Sequence, residues 1–265
     1  MNLKQLLSGI LTPSECGELK NSFDVVGSVA QLEIPESLEP KEKMIANKIL
    51  ETFKNIKTVV KKVDKTEGEF RVRPVKILAG IPSTETVQRE NGLNLKLDLN
   101  KVFYTPRLSN ERLRILKQIK KGDFVADLFC GVGPYAILIA KFSKSRKVFA
   151  NDLNPDAYNY LIENVKKNKA LKIECFNKDA KDFHKLKADK VIMNIPKFSE
   201  NFLSVAFDNC RKGGLVYYYC FAKEDELKDR VAEIKKAGHC RILKKTKCGD
   251  IGPGTFRWCI DFKIT

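Results

Sequence analysis

Histidine is almost missing from this chain, with two in 265 residues. Nor is there a C-x-x-C pair, so the cysteines at 16, 130, 175, 210, 220, 240, 248 and 259 form neither a zinc pattern nor a compact disulfide framework. Most of them lie in apolar runs such as FVADLFC and LVYYYC, which predicts reduced core residues. A bridge among Cys240, Cys248 and Cys259 is the alternative, and no metal site is expected. Long apolar runs are also missing: nothing approaches the roughly 18 residues of a membrane span. The start, MNLKQLLSGILTPSE, has no basic segment followed by a long apolar one, so no secretory signal is expected. A soluble, cytoplasmic protein is expected. There is no internal repeat or low-complexity tract, and 43% hydrophobic residues suffice for a proper core, which excludes a disordered chain.

Acidic residues are the scarcer charge. Against 33 Asp and Glu stand 49 Lys and Arg, a formal net charge of +16. Such an excess favours a polyanionic partner, because each phosphate contact releases condensed counterions. The lysines are scattered rather than blocked, so a lysine-rich solvated surface is the competing explanation.

The pattern changes near residue 100, and the boundary is set at 103/104. In 1–103, KEKMIANKILETF places Ile45, Ile49 and Phe53 at helical spacing. TVVKKV and EFRVRPV are strand-like. In ETVQRENGLNLKLDL, Asn91-Gly92 supplies a hairpin turn, and Leu93, Leu95, Leu97 and Leu99 alternate with polar partners. This half is a small α+β domain with basic strands. From 104 onward the grammar is regular. SNERLRILKQIKK predicts a helix capped by Ser109 or Asn110. FVADLF, KVFAND, IECFN, KVIMNI and LVYYYCFA predict strands separated by helices such as PYAILIAKF and PDAYNYLIENVKKNK, which implies a parallel sheet covered on both faces. CRILKKTK and TFRWCIDFKI have no helix between them and predict an antiparallel hairpin at the sheet edge.

In such a sheet ligands sit at the carboxyl ends of the strands. The first strand ends in DLFCGVGPYA, where Gly131 and Gly133 allow a tight turn and close approach of backbone to ligand. As G-x-G-x-x-A this is also a weak dinucleotide fingerprint, or a purely structural turn. Asp127 is suited to accept from an amino group, and Pro134 stands where the helix begins, which a pyrophosphate does not require. The second strand ends at Asp152, before the Asn154-Pro155 helix start, and a carboxylate there can hold both ribose hydroxyls of an adenosine in an NAD or S-adenosylmethionine site. Asp179 falls where an adenine edge would lie, or else caps a helix. The fourth strand stops on VIMNIPKF, where Asn194 can orient a purine and Pro196 stiffens the bend. Phe129, Leu153 and Ala180, adjoining these groups, complete the candidate cofactor set.

VADLFCGVGPYAILIAK, ANDLNPDAYNYLIENVKKNK, VIMNIPKFSENFL, GEFRVRPVKILAG and RENGLNLKLDLNKVFYTPRLSNER together resemble the archaeal tRNA (guanine-N1-)methyltransferases acting at position 37, over nearly the whole chain. The resemblance implies an α/β protein: a Rossmann-like class I methyltransferase domain with a mostly parallel seven-stranded sheet, preceded by a small α+β domain that contacts RNA. It implies S-adenosyl-L-methionine as cofactor, the tRNA anticodon loop as partner and a monomer. It makes Glu111 the general base, a residue otherwise explained as a first-turn glutamate favoured by the helix dipole. It gives Arg71 the guanine carbonyl, Asn194 the edge of the base, and Arg107 or Arg112 the cofactor carboxylate. Arg71, Arg73, Arg107 and Lys197 form the RNA-facing set. Many members carry a further N-terminal domain, and this chain is expected to start after it. Where members often read Tyr-Phe, Phe103-Tyr104 stands here, which removes a hydroxyl from the methyl pocket if the first aromatic lines it.

The resemblance also brings rivals: methylation of C7 of the tricyclic wyosine precursor at the same position, and transfer of the aminocarboxypropyl arm of the cofactor. TPRLSNER and NIPK speak against the second. A non-catalytic tRNA binder and an NAD-dependent oxidoreductase are disfavoured by the complete set of cofactor acids and glycines, and by the basic charge and Pro134, respectively. Amino-group methyltransferases use Asn/Asp-Pro-Pro-aromatic; here Ile195 and Lys197 occupy the second and fourth places. Asn-Ile-Pro-Lys therefore keeps the orienting amide and drops the stacking platform, which suits a ring nitrogen, N1 of guanosine 37.

Overall fold

The computed structural model describes residues 3–63 and 72–265. The chain divides into two compact units, Met1–Pro106 and Arg107–Thr265, where the sequence pattern placed the change at 103/104.

The first unit carries α1 (Leu3–Leu7), α2 (Pro13–Glu18), β1 (Asp24–Val26), β2 (Val29–Leu32), α3 (Glu42–Thr52), β3 (Thr58–Lys62), β4 (Val75–Gly80), β5 (Glu85–Glu90) and β6 (Leu93–Asp98). The first four strands form a sheet in sequence order, with β2 and β3 parallel and the other pairs antiparallel. Ile45 and Ile49, one turn apart on α3, are fully buried and share a core with Leu7, Leu32, Leu38 and Val59. Asn91 (φ 48°) and Gly92 (φ 75°) both adopt the left-handed conformation that a two-residue hairpin between β5 and β6 requires. Leu93, Leu95 and Leu97 then fall on one buried face. Of the predicted strand EFRVRPV, residues 69–71 lie outside the described residues. Val72 forms a single bridge, and the strand itself starts at Val75.

The second unit runs α4 (Ser109–Leu116), β7 (Phe124–Asp127), α5 (Pro134–Phe142), β8 (Lys147–Asn151), α6 (Pro155–Asn168), β9 (Ile173–Phe176), β10 (Ala188–Met193), α7 (Leu203–Asn209), β11 (Cys210–Ala222), α8 (Leu227–Ala237), β12 (Cys240–Gly252) and β13 (Thr255–Ile264). Its seven strands are ordered β12-β13-β11-β10-β7-β8-β9. The five from β11 to β9 pair in parallel, and β13 joins β11 and β12 antiparallel. This is a Rossmann-like α/β unit. Val125, Ala126, Val148, Ala150, Val191, Ile192 and Val216 are fully buried, as strands covered on both faces must be. Each Val or Ile among them contributes about 1.5–3 kcal/mol of burial. α5 is buried from Pro134 to Ala140, so it is apolar on every side. Because β8 and β9 lie on one side of β7 and β10 on the other, the chain reverses its direction of travel across the sheet between β7 and β10. Their carboxyl ends flank the crevice where such sheets bind ligands.

Two local expectations are corrected. α4 is not capped by Ser109 or Asn110: its N-cap is Leu108, without a side-chain cap, because a 3-10 turn over Pro106–Leu108 leads straight into the helix. All eight cysteines are free, so Cys240, Cys248 and Cys259 form no bridge. Among the described residues no helix is long and apolar enough to cross a membrane.

Candidate active site

The loop after β7 is shaped by Gly131 (φ 55°) and Gly133 (φ 89°), and Gly133 is the N-cap of α5 with Pro134 in the first helical position. Asp152, at the end of β8, accepts from the Gly131 N–H (2.7 Å) and the Asn154 N–H (3.0 Å). Burial raises its pKa, and those two N–H groups oppose the rise. Asn154 accepts from Asp156 N–H at 2.9 Å and so caps α6. Asn151 ties three strand ends together. Its amide donates to Leu128 O (3.2 Å) and Lys178 O (3.0 Å), its side-chain oxygen accepts from Lys178 N–H (3.1 Å), and its carbonyl accepts from Cys130 N–H (2.9 Å). Asp179 accepts from Lys181 N–H at 2.9 Å, so one of its oxygens serves the helix-cap role weighed for it. Ala180 beside it is buried, whereas Leu153 is exposed.

Asp127 is fully buried, and neither carboxylate oxygen has a hydrogen-bond partner. The Phe129 and Ala136 N–H groups face it without closing to hydrogen-bond geometry. Burial first, and then the Asp152 charge, push its pKa up to about 8. An orphaned buried acid beside a glycine turn fits a ligand that brings its own cation. The shift also has a readout in stability. With the folded pKa above the unfolded value of about 3.9, the contribution of Asp127 is fully present below pH ~4 and is lost as pH rises through 8. The stability of the ligand-free protein relative to Asp127→Asn is therefore expected to fall between pH 4 and pH 8 in urea titrations. A difference that stays flat across this window would show that Asp127 is ionised throughout.

Glu111, in the first turn of α4, is buried. Oε1 accepts from Tyr219 Oη (2.7 Å) and from an Arg114 terminal nitrogen (2.8 Å), and Oε2 accepts from Arg114 Nε (2.7 Å). A carboxylate has about four acceptor positions, so one remains on Oε2. Arg114 also holds Asp261 of β13 through bonds of 2.6 and 2.9 Å. Although burial works against its charge, the two carboxylates hold the Arg114 pKa above its ordinary range. The Tyr219 hydroxyl meets that of Tyr135 at 3.0 Å. Burial keeps both phenols well above their usual pKa, so they remain donors. Cys248 lies nearby, its thiol donating to Thr246 O at 3.3 Å; burial pushes its pKa up to about 12, and the Glu111 carboxylate, which faces the thiol, adds to the rise. Arg112, 2% exposed, places its guanidinium 5.6 Å from the centre of the Tyr135 ring.

At the end of β10, Asn194 and Pro196 are half-buried and Lys197 is exposed. The platform judged to be dropped has a candidate one residue on. Phe198 is 51% exposed, holds a left-handed backbone (φ 63°), and carries the Lys197 ammonium 5.4 Å from its ring centre. A positive φ at a bulky residue is uncommon and marks a site under local constraint. Phe129 packs edge-on against Phe202, 4.9 Å between ring centres.

Around this crevice the structure brings together Asp127, Gly131, Gly133, Pro134 and Asp152, with Asn194 and Pro196 on the neighbouring strand end. Arg107 is exposed on the 3-10 turn before α4. Arg73 belongs to the first unit, where Nε donates to Val63 O at 2.9 Å and a terminal nitrogen lies 3.9 Å from Glu33. Arg71 lies outside the described residues. In the first unit, too, the Tyr104 hydroxyl is engaged by Glu90 at 2.6 Å, and Phe103 is exposed. Sequence reasoning missed Asn151, Arg114, Tyr219 and Asp261. The one available signal was a polar group inside an apolar strand, as in CIDF.

A Rossmann-like sheet with a glycine turn, an orphaned acid and a second buried acid at its switch point defines an S-adenosyl-L-methionine-dependent methyltransferase. Asp152 and Asp179 would hold the adenosine part, and Asp127 the amino group. Residues 86–244 match the family described as the TRM5/TYW2 methyltransferase domain, and residues 3–84 the TYW2 N-terminal domain. The chain belongs to the TRM5/TYW2 methyltransferase family. It is 40% identical over 253 residues to tRNA (guanine(37)-N(1))-methyltransferase Trm5b of Pyrococcus abyssi, across 93% of this chain and 76% of that protein. It is 33% identical over 248 residues to tRNA 4-demethylwyosine(37)-methyltransferase Taw21 of Saccharolobus solfataricus, across 91% of this chain and 93% of that protein. The solved complex of aTrm5 with tRNALeu is similar with a TM-score of 0.91 and 33% identity, covering 100% of this chain and 78% of that one.

Proposed function

We propose that this protein methylates N1 of guanosine 37, beside the anticodon of tRNA, with Glu111 as the general base. The observation that carries this reading is the Glu111 carboxylate, fixed by Tyr219 and Arg114 with an acceptor position left on Oε2. The cofactor supplies an electrophilic methyl on a sulfonium, so the protein's task is to align a nucleophile and take its proton. A guanine N1–H is a poor nucleophile until deprotonated, and Glu111 accepts that proton. Asn194 orients the base by its hydrogen-bonding edge, and Pro196 keeps that turn stiff. Charge then develops on the guanine carbonyl, for which Arg71 is the candidate donor. Arg107 and Lys197 meet the RNA in this reading, as does Arg73 in the first unit. The target base leaves its stack to react, which costs little in a single-stranded loop. The +16 charge supports a tRNA partner. The enzyme acts as a monomer in the cytoplasm.

A second reading, methylation of the tricyclic wyosine precursor at the same position, is favoured by the match of residues 3–84 to the TYW2 N-terminal domain and by the similarity to Taw21. One experiment separates the two. Guanosine-37 transcripts, adenosine-37 transcripts and tRNA carrying the precursor are each incubated with labelled cofactor, digested, and analysed by mass spectrometry for the modified nucleoside. The main reading expects 1-methylguanosine from the first and nothing from the second. Equal methylation of adenosine-37 transcripts overturns it, and labelling of the precursor tRNA alone establishes the second reading.

A further inference from the structure

Arg257, on β13, is a buried charge for which the proposed reaction has no use. It is 7% exposed, and its Nε has no hydrogen-bond partner. No ion pair reaches it among the described residues. Its nearest marked contact is the Phe221 ring, 5.4 Å from the guanidinium to the ring centre. A guanidinium cannot shed its proton as a buried carboxylate can acquire one. Burying it without an anion is therefore costly, and the cost is recovered only when something anionic arrives.

The sheet register shows where that anion would sit. Arg257 pairs with Phe221 of β11, three residues beyond Tyr218, whose partner is Met193 at the end of β10. Arg257 is thus at the carboxyl end of the parallel strands, level with the Asn-Ile-Pro-Lys turn. Side chains alternate along a strand, so Phe221 and Arg257 share a sheet face with Tyr219, which reaches Glu111 of α4 and Tyr135 of α5. Burial lowers the Arg257 pKa; Tyr135, Cys248 and Tyr219 oppose this, and Arg112 adds to it, so these groups lie within electrostatic reach. Asp127 has both carboxylate oxygens unbonded, and Arg112 acts on it as well. Across the sheet the order is fixed: Asp152 just after β8, then Asp127 at the end of β7, then Arg257 on β13 beyond β10 and β11. A ligand whose ribose meets Asp152 and whose ammonium meets Asp127 has its remaining charged end directed toward Arg257.

Arg107, which the resemblance offered for the cofactor carboxylate, is exposed, and the Arg112 guanidinium lies against the Tyr135 ring. We propose that Arg257, in place of either, binds the α-carboxylate of the cofactor's amino-acid end, forming with Asp127 a pair of opposite poles for that zwitterion. This rests on the reading of the crevice as the cofactor site. The test is calorimetric titration of the full chain with two ligands, S-adenosylhomocysteine and 5′-methylthioadenosine, the second lacking the amino-acid end. Arg257→Gln is expected to lose about 10- to 100-fold in affinity for the first ligand and less than about twofold for the second. Equal losses for both, or no loss for either, overturn the assignment. Wild-type protein that binds neither ligand overturns the cofactor site itself, a distinguishable failure. Arg257→Met provides the readout that a structural role would move. Its ligand-free melting temperature is expected to match or exceed that of wild type, because an uncompensated charge has been removed. A fall of several degrees would show that Arg257 holds the fold together, against the proposal.

Discussion

Glu111→Gln is expected to slow methyl transfer in a single turnover by about 10²–10⁴-fold while leaving S-adenosylhomocysteine affinity within about twofold of wild type. The substitution keeps the shape of the side chain and leaves an oxygen for the Tyr219 hydroxyl, which sits 2.7 Å from Oε1. What it removes is the capacity to accept a proton. The structural cost is contained by the way Arg114 is shared. Losing one carboxylate still leaves that guanidinium bonded to Asp261 at 2.6 and 2.9 Å, so no buried cation is stranded. Breaking a buried pair outright costs about 3–5 kcal/mol; here a loss of about 1.5–3 kcal/mol is expected, for a hydrogen bond to a charged group. Rapid-quench kinetics on guanosine-37 transcripts, with urea unfolding as the control, separate the two effects. Intact turnover would remove Glu111 from the chemistry. A drop in cofactor affinity as large as the drop in rate would make it a cofactor-site or structural residue.

The second large effect is expected at Gly133. A Cβ added there would lie 2.5 Å from Leu161 Cδ1 and 2.9 Å from Ile137 Cδ1, with the backbone held at φ 89°. The left-handed backbone costs a non-glycine residue about 1–2 kcal/mol. Overpacking a tight site adds about 1–3 kcal/mol. Gly133→Ala should therefore destabilise the protein by about 2–5 kcal/mol. Relief is available only by moving the start of α5 or its contact with α6, and either shifts the turn that carries Gly131 away from Asp152. Cofactor affinity should fall along with stability. Chemical denaturation together with a ligand titration tests both, and a variant within about 0.5 kcal/mol of wild type would mean that the loop yields at no cost.

Much of the second unit could be read in advance because its signals are local. Helix α5 begins at Pro134 and α6 at Pro155, where proline and the Asn154 cap mark a start that the chain can hardly avoid. Asn91-Gly92 is equally local, since few other pairs accept two successive left-handed residues. The strand ends were legible for a different reason: in alternating β/α chains, the residue after each strand faces the same crevice. What stayed hidden depends on distance along the chain. Arg114 and Asp261 are 147 residues apart, and periodicity places each on a face without revealing that the two faces meet. Tyr219 and Arg257 sit in runs that read as core strand, and only the register of β13 against β11 turns them inward as polar groups. The left-handed backbone of Phe198 is illegible for the same reason: no local residue preference asks for it, so the surroundings impose it.

β13 enters the sheet between two strands made before it, β11 and β12. Asp261 and Arg257 both ride on it. During synthesis, α4 with Glu111 and the glycine turn emerge early, but the anchor that shares Arg114 arrives only when this strand threads into place. The crevice can therefore take its general outline well before the second carboxylate on Arg114 is in place. Full order around Arg114 is thus tied to one late event, the closing of a gap in the sheet, and a partly made chain holds that guanidinium by Glu111 alone.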